Sequence, residues 1–537
     1  MIEAKKVLHL FSRFERFWLS IFLVLAIISS TFILDQTITS SRTKTLASTG
    51  GTFSVGLTGT VDSINPLYCT SSMTIRAVCS LVFTGLTKID PFSHEVKGDL
   101  ASQIDVGNDL KTYTVTLKPA FFHDNKPVTS QDVIFTYEKL LKDPGYDGPY
   151  KGAFNSVKIE ATDASTIIFT LDEPNTFFPY SLTIGIVPAH ILSEVQNIKD
   201  FSAHPFNRNP IGTGIFKVES FSNNTTSSEI NLKSFSEFYG TKPYIERLYI
   251  MGYQSEENLR GDISKYDFIY SDNLEPANVP SNYQGHQFLL PQYVGLFFNT
   301  STGPMSSKLT RLALKVATDR EDLAKDDPKL KLIDSPFPDI LTDVKITYNL
   351  EKAKGFLQQE KITPENPIEV KLVYKNDETL EMVAKKLQEQ WRPLGINCIL
   401  IGQDFGELQT NFLKTRDYDI LLLGERLGGN IDLYPYLHSS QLKYPGLNFS
   451  VYKNVAVDNL LDKIRLTIDE KEQKKLLSQA YEKISADMPF LILYTPYNTV
   501  FIHKRIQDAF LPSYPSVPEQ IYSLITSWYI AEKQIWI

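Results

Sequence analysis

Hydrophobic and polar positions follow the period of a strand, then of a helix, in the first third of the chain. Over residues 112–117, apolar side chains alternate with threonines, which is typical of a half-buried strand. Residues 124–127 (Asp-Asn-Lys-Pro) mark a turn. Apolar residues at helical spacing follow over 133–141. The pattern therefore predicts a strand, a turn and an amphipathic helix.

A second pattern, in the C-terminal half, alternates between the two periods. Apolar strands are predicted at 368–374, 396–401 and 418–423, and stripes at helical spacing separate them at 380–391 and 405–413. This order indicates a parallel β-α-β-α-β unit whose strands are buried on both faces. Such sheets bind ligands beyond the carboxyl ends of their strands.

The N-terminal region contains an uncharged run of 18 residues at 17–34, preceded by basic residues. As a helix the run would extend about 27 Å, close to the thickness of a bilayer core. We predict a cytoplasmic segment at 1–16 and a single transmembrane anchor at 17–34, with the remainder outside the cell. A cleaved signal peptide is the alternative. The Ser- and Thr-rich stretch 35–49 is predicted to be a flexible tether.

Composition narrows the function classes. The formal net charge is -8 over 537 residues, which argues against a nucleic-acid partner. The catalytic, metal-binding and nucleotide-binding motifs are missing, so we expect neither an enzyme nor a cofactor or metal. Three cysteines are too few for a disulfide framework. We expect buried thiols at Cys69 and Cys79, with a disulfide between them as the alternative.

The exact residues of several stretches resemble one family. FFHDNKPVTSQDVIFTYEKL, at 121–140, resembles the signature stretch of the peptide and nickel class (family 5) of extracytoplasmic solute-binding proteins, the receptors of ABC importers. Other matching stretches are 63–66, 85–86, 209–216, 292–299, 311–320, 448–461 and 487–494. These stretches follow one another in the same order and register as in the family, from about Gly50 to about Arg505.

The resemblance implies an α/β, two-lobed fold of the periplasmic-binding-protein type (type II, cluster C), with an extra small α+β domain. Lobe I is expected from three segments, the small domain II from 91–206, and lobe III from 301–490. The segments of lobe I are 50–90, 207–300 and 491–537. A glycine-rich turn at 209–216 returns the chain to lobe I, and it lacks the span and lysine of a phosphate-binding loop.

Candidate ligand-binding residues follow from the strand ends and from the resemblance. The loop after the third strand of the parallel unit contains Glu425, Arg426 and Asp432. Lys375, Asn376, Gln403 and Asp404 follow the other two strands. We add Tyr293, Asn65 and Tyr434, which lie in or beside family motifs.

The resemblance also implies a departure at this site. Relatives that bind a free peptide N-terminus carry an aspartate where Gly428 or Gly429 stands here. Either Glu425 or Asp432 replaces this carboxylate, or the ligand has no free ammonium there. The first alternative predicts that Glu425→Ala weakens binding by about tenfold or more.

We therefore expect a membrane-anchored extracellular receptor of a peptide-type ABC importer. It would capture short peptides between two lobes and deliver them to a permease with its ATPase subunits. One alternative is an anchored signalling or scaffold receptor. The other is a non-peptide ligand such as a nickel chelate, haem or an oligosaccharide.

Overall fold

The computed structural model describes residues 12–69, 72–271, 274–325, 327–335, 337, 341 and 347–536. Two mixed β-sheets form the centres of two lobes, each covered by helices. The first sheet has seven strands. In spatial order they are Tyr283–Phe288, Asn498–His503, Phe268–Tyr270, Thr52–Thr58, Arg247–Tyr253, Ser227–Ser234 and Phe216–Asn223.

The second sheet has six strands and contains the predicted parallel unit. In spatial order they are Leu330–Lys331, Phe490–Pro496, Gln292–Phe298, Ile420–Arg426, Ile368–Lys375 and Ile396–Gln403. The strand Ile368–Lys375 pairs in parallel with both Ile396–Gln403 and Ile420–Arg426. The prediction of a parallel β-α-β-α-β unit is thus confirmed.

Helices cover the sheets and join their strands. The α-helices are Arg13–Arg42, Met73–Val82, Ser130–Ile134, Ile198–Ala203, Glu256–Arg260, Lys308–Ala317, Arg320–Ala324, Leu350–Gln359, Glu378–Trp391, Phe405–Glu407, Tyr434–Leu437, Val455–Leu466 and Glu470–Asp487. The helices Ser130–Ile134 and Phe405–Glu407 continue as π-helical turns, over Phe135–Leu140 and Leu408–Leu413.

The small domain is built on a four-stranded antiparallel sheet. Its order is Ala101–Val106, Thr112–Leu117, Thr166–Leu171, Val157–Ala161, and a hairpin of Thr87–Ile89 and Val96–Gly98 stands beside it. The predicted strand, turn and helix are all present. Thr129 caps the helix in a capping box with Asp132, and the side chains of Thr112–Leu117 alternate in burial.

Two strands that the predicted boundaries assigned to lobe I belong to the second sheet instead. Gln292–Phe298 and Phe490–Pro496 pair with each other and, through Ile420–Arg426, with the second sheet. The first was expected at the end of the segment 207–300 of lobe I, and the second where the chain returns to lobe I at residue 491. The buried side chains of both strands pack in the hydrophobic cores on the two faces of the second sheet.

The N-terminal segment differs from its prediction. A helix covers Arg13–Arg42, and Thr43–Ser48 forms a strand paired with Ala531–Trp536, so the flexible tether predicted at 35–49 is wrong. Among the residues that the structure describes, no helix combines the length and apolar character that crossing a membrane requires. The anchor predicted at 17–34 is not supported. Residues 1–11 of the predicted cytoplasmic segment lie outside the described residues.

The turn Asn65–Tyr68 and the helix Met73–Val82 bring two cysteines together. The Cα atoms of Cys69 and Cys79 lie 6.3 Å apart and their sulfurs form a disulfide, so the expectation of two buried thiols is wrong. The separation lies within the range that a disulfide spans. Cys398 is a buried free thiol.

The disulfide leads to a direct prediction. Unreduced protein denatured in guanidinium is expected to expose one titratable thiol per chain, that of Cys398, and three after reduction. A thiol-reactive chromophore counts them. Three thiols before reduction would show that the disulfide is absent.

Gly212 and Gly214 lie where the chain returns to lobe I, against the end of the helix Met73–Val82. The Gly214 amide donates to the Val82 carbonyl at 2.8 Å. A Cβ atom at Gly212 would overlap the Val82 carbonyl oxygen, and one at Gly214 would overlap that of Leu81. The glycines are therefore required by the close approach of two backbones rather than by a left-handed turn.

Candidate functional site

A cleft of about 950 Å³ separates the two lobes. Lobe I contributes the end of the strand Thr52–Thr58 and the start of the helix Met73–Val82, and lobe III contributes the ends of its parallel strands. The strands Gln292–Phe298 and Phe490–Pro496 form the floor. The volume is within the range of sites that enclose a small ligand.

One strand edge at the floor of the cleft has no strand beside it. Ile420–Arg426 pairs along its whole length with Gln292–Phe298. On its other side, the pairing with Ile368–Lys375 ends at Leu422. No strand in the described part of the chain continues that side along Leu423–Arg426. The Arg426 carbonyl accepts from the Tyr436 hydroxyl at 3.1 Å. The rest of the main chain on this side can pair with an extended ligand.

Positively charged side chains outnumber negatively charged ones in the lining of the cleft. Four cations line it: Arg76, Lys329, Lys375 and Arg426. The two carboxylates are those of Asp327 and Asp377, and both accept hydrogen bonds from backbone amides. Asp327 accepts from the amide of Lys329, and Asp377 caps the helix Glu378–Trp391. Arg76 also pairs with Glu519 at 3.7 Å. The three remaining cations, those of Lys329, Lys375 and Arg426, therefore give the cleft a small excess of positive charge over its two carboxylates.

Strand alternation determines which predicted residues face the cleft. Gln292 and Val294 pair with Arg426 and Gly424, and all four line the cleft. Arg426 is thus the one candidate from the loop 425–432 that lines it, and its guanidinium donates to Gln292 Oε1 at 3.1 Å. Lys375 lines the cleft too. Asn376, Gln403 and Asp404 do not form part of its lining.

Tyr293 and Glu425 pair across the same two strands but point to the opposite face, into the apolar interior of lobe III. The Tyr293 hydroxyl donates to Glu425 Oε2 at 2.5 Å, while Oε1 is buried without a hydrogen bond. Burial raises the pKa of Glu425 to about 8, partly offset by the Tyr293 hydrogen bond.

The raised pKa favours the neutral form of Glu425 at pH 7, and burial keeps its carboxyl group away from a ligand in the cleft. The predicted loss of binding in Glu425→Ala consequently has no structural basis. Tyr293, also predicted as a ligand contact, points away from the cleft, and its ring packs on Phe490 in the core.

Asp432 and Tyr434 belong to a cluster inside lobe III. Arg465 donates to both carboxylate oxygens of Asp432, the shortest distance being 2.7 Å, and its guanidinium lies 3.7 Å from the centre of the Tyr434 ring. The other face of that ring stacks on His438. Asp432 is thus neutralised by a residue 33 positions later, and neither residue lines the cleft.

Asn65 is buried in lobe I, where its side chain accepts from the Leu67 amide and holds a turn. It does not line the cleft either. The lobe I residues that do include Thr58, Gly59, Ser72, Met73, Arg76 and Tyr270. Sequence reasoning missed them, although a signal exists. Thr52–Thr58 and Phe268–Tyr270 are parallel strands, and the rule for strand ends applies to them as well.

Comparison with known proteins agrees with this architecture. The model of the bacterial extracellular solute-binding proteins, family 5 (middle region), matches residues 95–446, more than half of the chain. The oligopeptide-binding protein AppA of Bacillus subtilis is 27% identical over 548 residues, covering 96% of this chain and 98% of AppA.

Solved structures share the fold. AppA from Bacillus subtilis in complex with a nonapeptide superposes with a TM-score of 0.71 at 26% identity, covering 90% of this chain and all of AppA. NikZ from Campylobacter jejuni in complex with Ni(L-His) superposes with a TM-score of 0.70 at 24% identity, covering 89% and 99% of the two chains. The two-lobed fold and the family predicted from the sequence are confirmed. The chain belongs to family 5 of the bacterial extracellular solute-binding proteins.

Proposed function

We propose that the protein is the receptor of a peptide-type ABC importer and binds short peptides in the cleft between its lobes. The strand edge Leu423–Arg426 at the cleft floor, beside which no described strand runs, is the observation that carries this proposal. An extended peptide paired with this edge would be bound through its main chain, so peptides with different side chains would be accepted. The relative solved with a nonapeptide supports the same ligand class.

The peptide carboxylate is expected to bind on the cationic side of the cleft. Lys375 and Arg426 stand at the ends of the lobe III strands, and Ser72 begins the helix Met73–Val82 on the opposite wall. The first amides of a helix and its dipole favour an anion, as do the side-chain cations. Closure of the lobes around the peptide would then present a joint surface to the permease, whose ATPase subunits lie on the cytoplasmic side, without chemical change to the ligand.

Charge reversal tests this binding mode. The double variant Lys375→Glu, Arg426→Glu is expected to bind Ala-Ala-Ala-Ala at least about tenfold more weakly than the wild type, because two attractions become repulsions. For the same peptide with an amidated C-terminus, the change should stay below about threefold. Titration calorimetry measures both.

Lys371→Glu is the matched control, since Lys371 lies on the same strand as Lys375 but outside the cleft. It should leave both affinities unchanged. If the wild type binds neither form of the peptide, the proposal of a peptide receptor is wrong. If the variant weakens both forms equally, the assignment of the carboxylate is wrong.

A further inference from the structure

A second cavity of about 770 Å³ opens beside the cleft, between the hairpin of the small domain, the loop after the strand Ile420–Arg426 and the C-terminal segment. Aromatic rings form its walls: those of Phe92, Phe177, Tyr180, Phe510 and Tyr514. Its size and lining are those of a site for an apolar group. Gly428 and Gly429, from the loop after the strand Ile420–Arg426 in which the sequence predicts a site, line it.

The cavity adjoins the cleft along two chain segments. Arg426 lines the cleft and Gly428 lines the cavity, about 7 Å further along an extended chain. On the neighbouring segment, Gln292 lines the cleft and Pro291 the cavity. A ligand lying on the edge Leu423–Arg426 therefore reaches the cavity within about two residues. Gly428 places no side chain between the cleft and the cavity, and a Cβ atom there would meet nothing but its own chain neighbours within 4 Å.

Two aromatic rings at the cavity are exposed to solvent. Phe92 is 51% exposed and Phe510 is 66% exposed, and their ring centres lie 6.1 Å apart. Phe92 comes from the small domain and Phe510 from the C-terminal segment. Large apolar side chains gain free energy when they are covered, and a planar apolar group between or against these rings would cover them.

Charge sets the direction of the ligand. The cavity lining carries two carboxylates, those of Glu95 and Glu470, and one ammonium group, that of Lys474, which pairs with Glu470. The cleft carries excess positive charge instead. A peptide whose carboxylate lies among the cations of the cleft would therefore direct its amino end towards the cavity.

We propose that this cavity selects peptides with a bulky apolar or aromatic side chain at the amino-terminal residue. The inference rests on the proposed function and names the ligand class of that site. The rings of Phe92 and Phe510 close over the side chain, and the main chain stays on the strand edge.

Three peptides of equal length test the inference by titration calorimetry: Phe-Ala-Ala-Ala, Ala-Ala-Ala-Phe and Ala-Ala-Ala-Ala. The wild type is expected to bind the first at least about tenfold more tightly than the other two. The double variant Phe92→Ala, Phe510→Ala removes only exposed rings, so it should fold and bind Ala-Ala-Ala-Ala as before. Its preference for Phe-Ala-Ala-Ala should fall below about threefold.

Phe405→Ala is the matched control, because it removes an exposed ring that lines the cleft instead of the cavity. It should keep the preference of the wild type. Equal affinities of the three peptides for the wild type, or a preference that survives the loss of Phe92 and Phe510, would overturn this inference and leave the peptide receptor standing. Failure of all three peptides to bind would overturn both.

Discussion

The variant Glu425→Gln is expected to be more stable than the wild type at pH 8 but nearly equal to it at pH 5. The folded protein raises the pKa of Glu425 from 4.5 to about 8 because the carboxyl is buried. The folded state therefore retains a proton that the unfolded chain releases. The stability held by the neutral carboxyl is complete below pH 4.5 and is lost as the pH rises through about 8.

The size of the stability difference follows from the interval between the two pKa values of Glu425, 4.5 in the unfolded chain and about 8 in the folded protein. One unit of pKa corresponds to about 1.4 kcal/mol, so the wild type should lose about 3 kcal/mol between pH 5 and pH 8 through this group alone. Glutamine does not titrate and keeps an oxygen that accepts from the Tyr293 hydroxyl. Urea unfolding at four values of pH, on both proteins, measures the difference in the free energy of unfolding.

Glu389→Gln provides the control, since Glu389 is an exposed glutamate on the helix Glu378–Trp391 of the same lobe. Its stability should follow that of the wild type at every pH. Parallel profiles for the wild type and Glu425→Gln would mean that Glu425 is not buried in its neutral form.

The variant Gly212→Ala is expected to lose about 3 kcal/mol or more of folding free energy. The added methyl group would overlap the carbonyl oxygen of Val82, and a backbone atom cannot rotate away as a side chain does. Movement of the helix end would also disturb His123, whose Nδ1 accepts from the Gly212 amide. Chemical denaturation monitored by tryptophan fluorescence gives the free energy.

Gly355→Ala is the matched substitution. Gly355 lies inside the helix Leu350–Gln359, and no atom lies within 4 Å of where its Cβ would be. Alanine should raise stability there by up to about 1 kcal/mol, because it favours helix over glycine. If Gly212→Ala were as stable as Gly355→Ala, the two backbones would not be in contact at Gly212.

The periodicity of the sequence was sufficient to predict the elements of the fold. The strand Thr112–Leu117 and the parallel unit built on Ile368–Lys375 follow from local alternation, and each was found within a few residues of its prediction. Periodicity did not predict the lobe to which a strand belongs. Gln292–Phe298 is apolar along most of its length, so its pattern does not distinguish one sheet from the other.

The candidate site was less predictable because it depends on orientation and on distant partners. Glu425 and Arg426 are neighbours on one strand and face opposite sides of the sheet, which a loop interpretation of the sequence could not show. Asp432 has the chemistry of a ligand contact, but Arg465 on another helix neutralises it. The disulfide of Cys69 and Cys79 likewise depends on how a turn meets a helix.

Mass spectrometry of the bound ligand tests most directly whether the cleft binds short peptides. The protein would be purified under mild conditions and then denatured, and the released small molecules would be identified. We expect a mixture of short peptides of different sequence, because the strand edge Leu423–Arg426 would bind main chain. A single non-peptide species, such as a metal chelate or a sugar, would contradict the account.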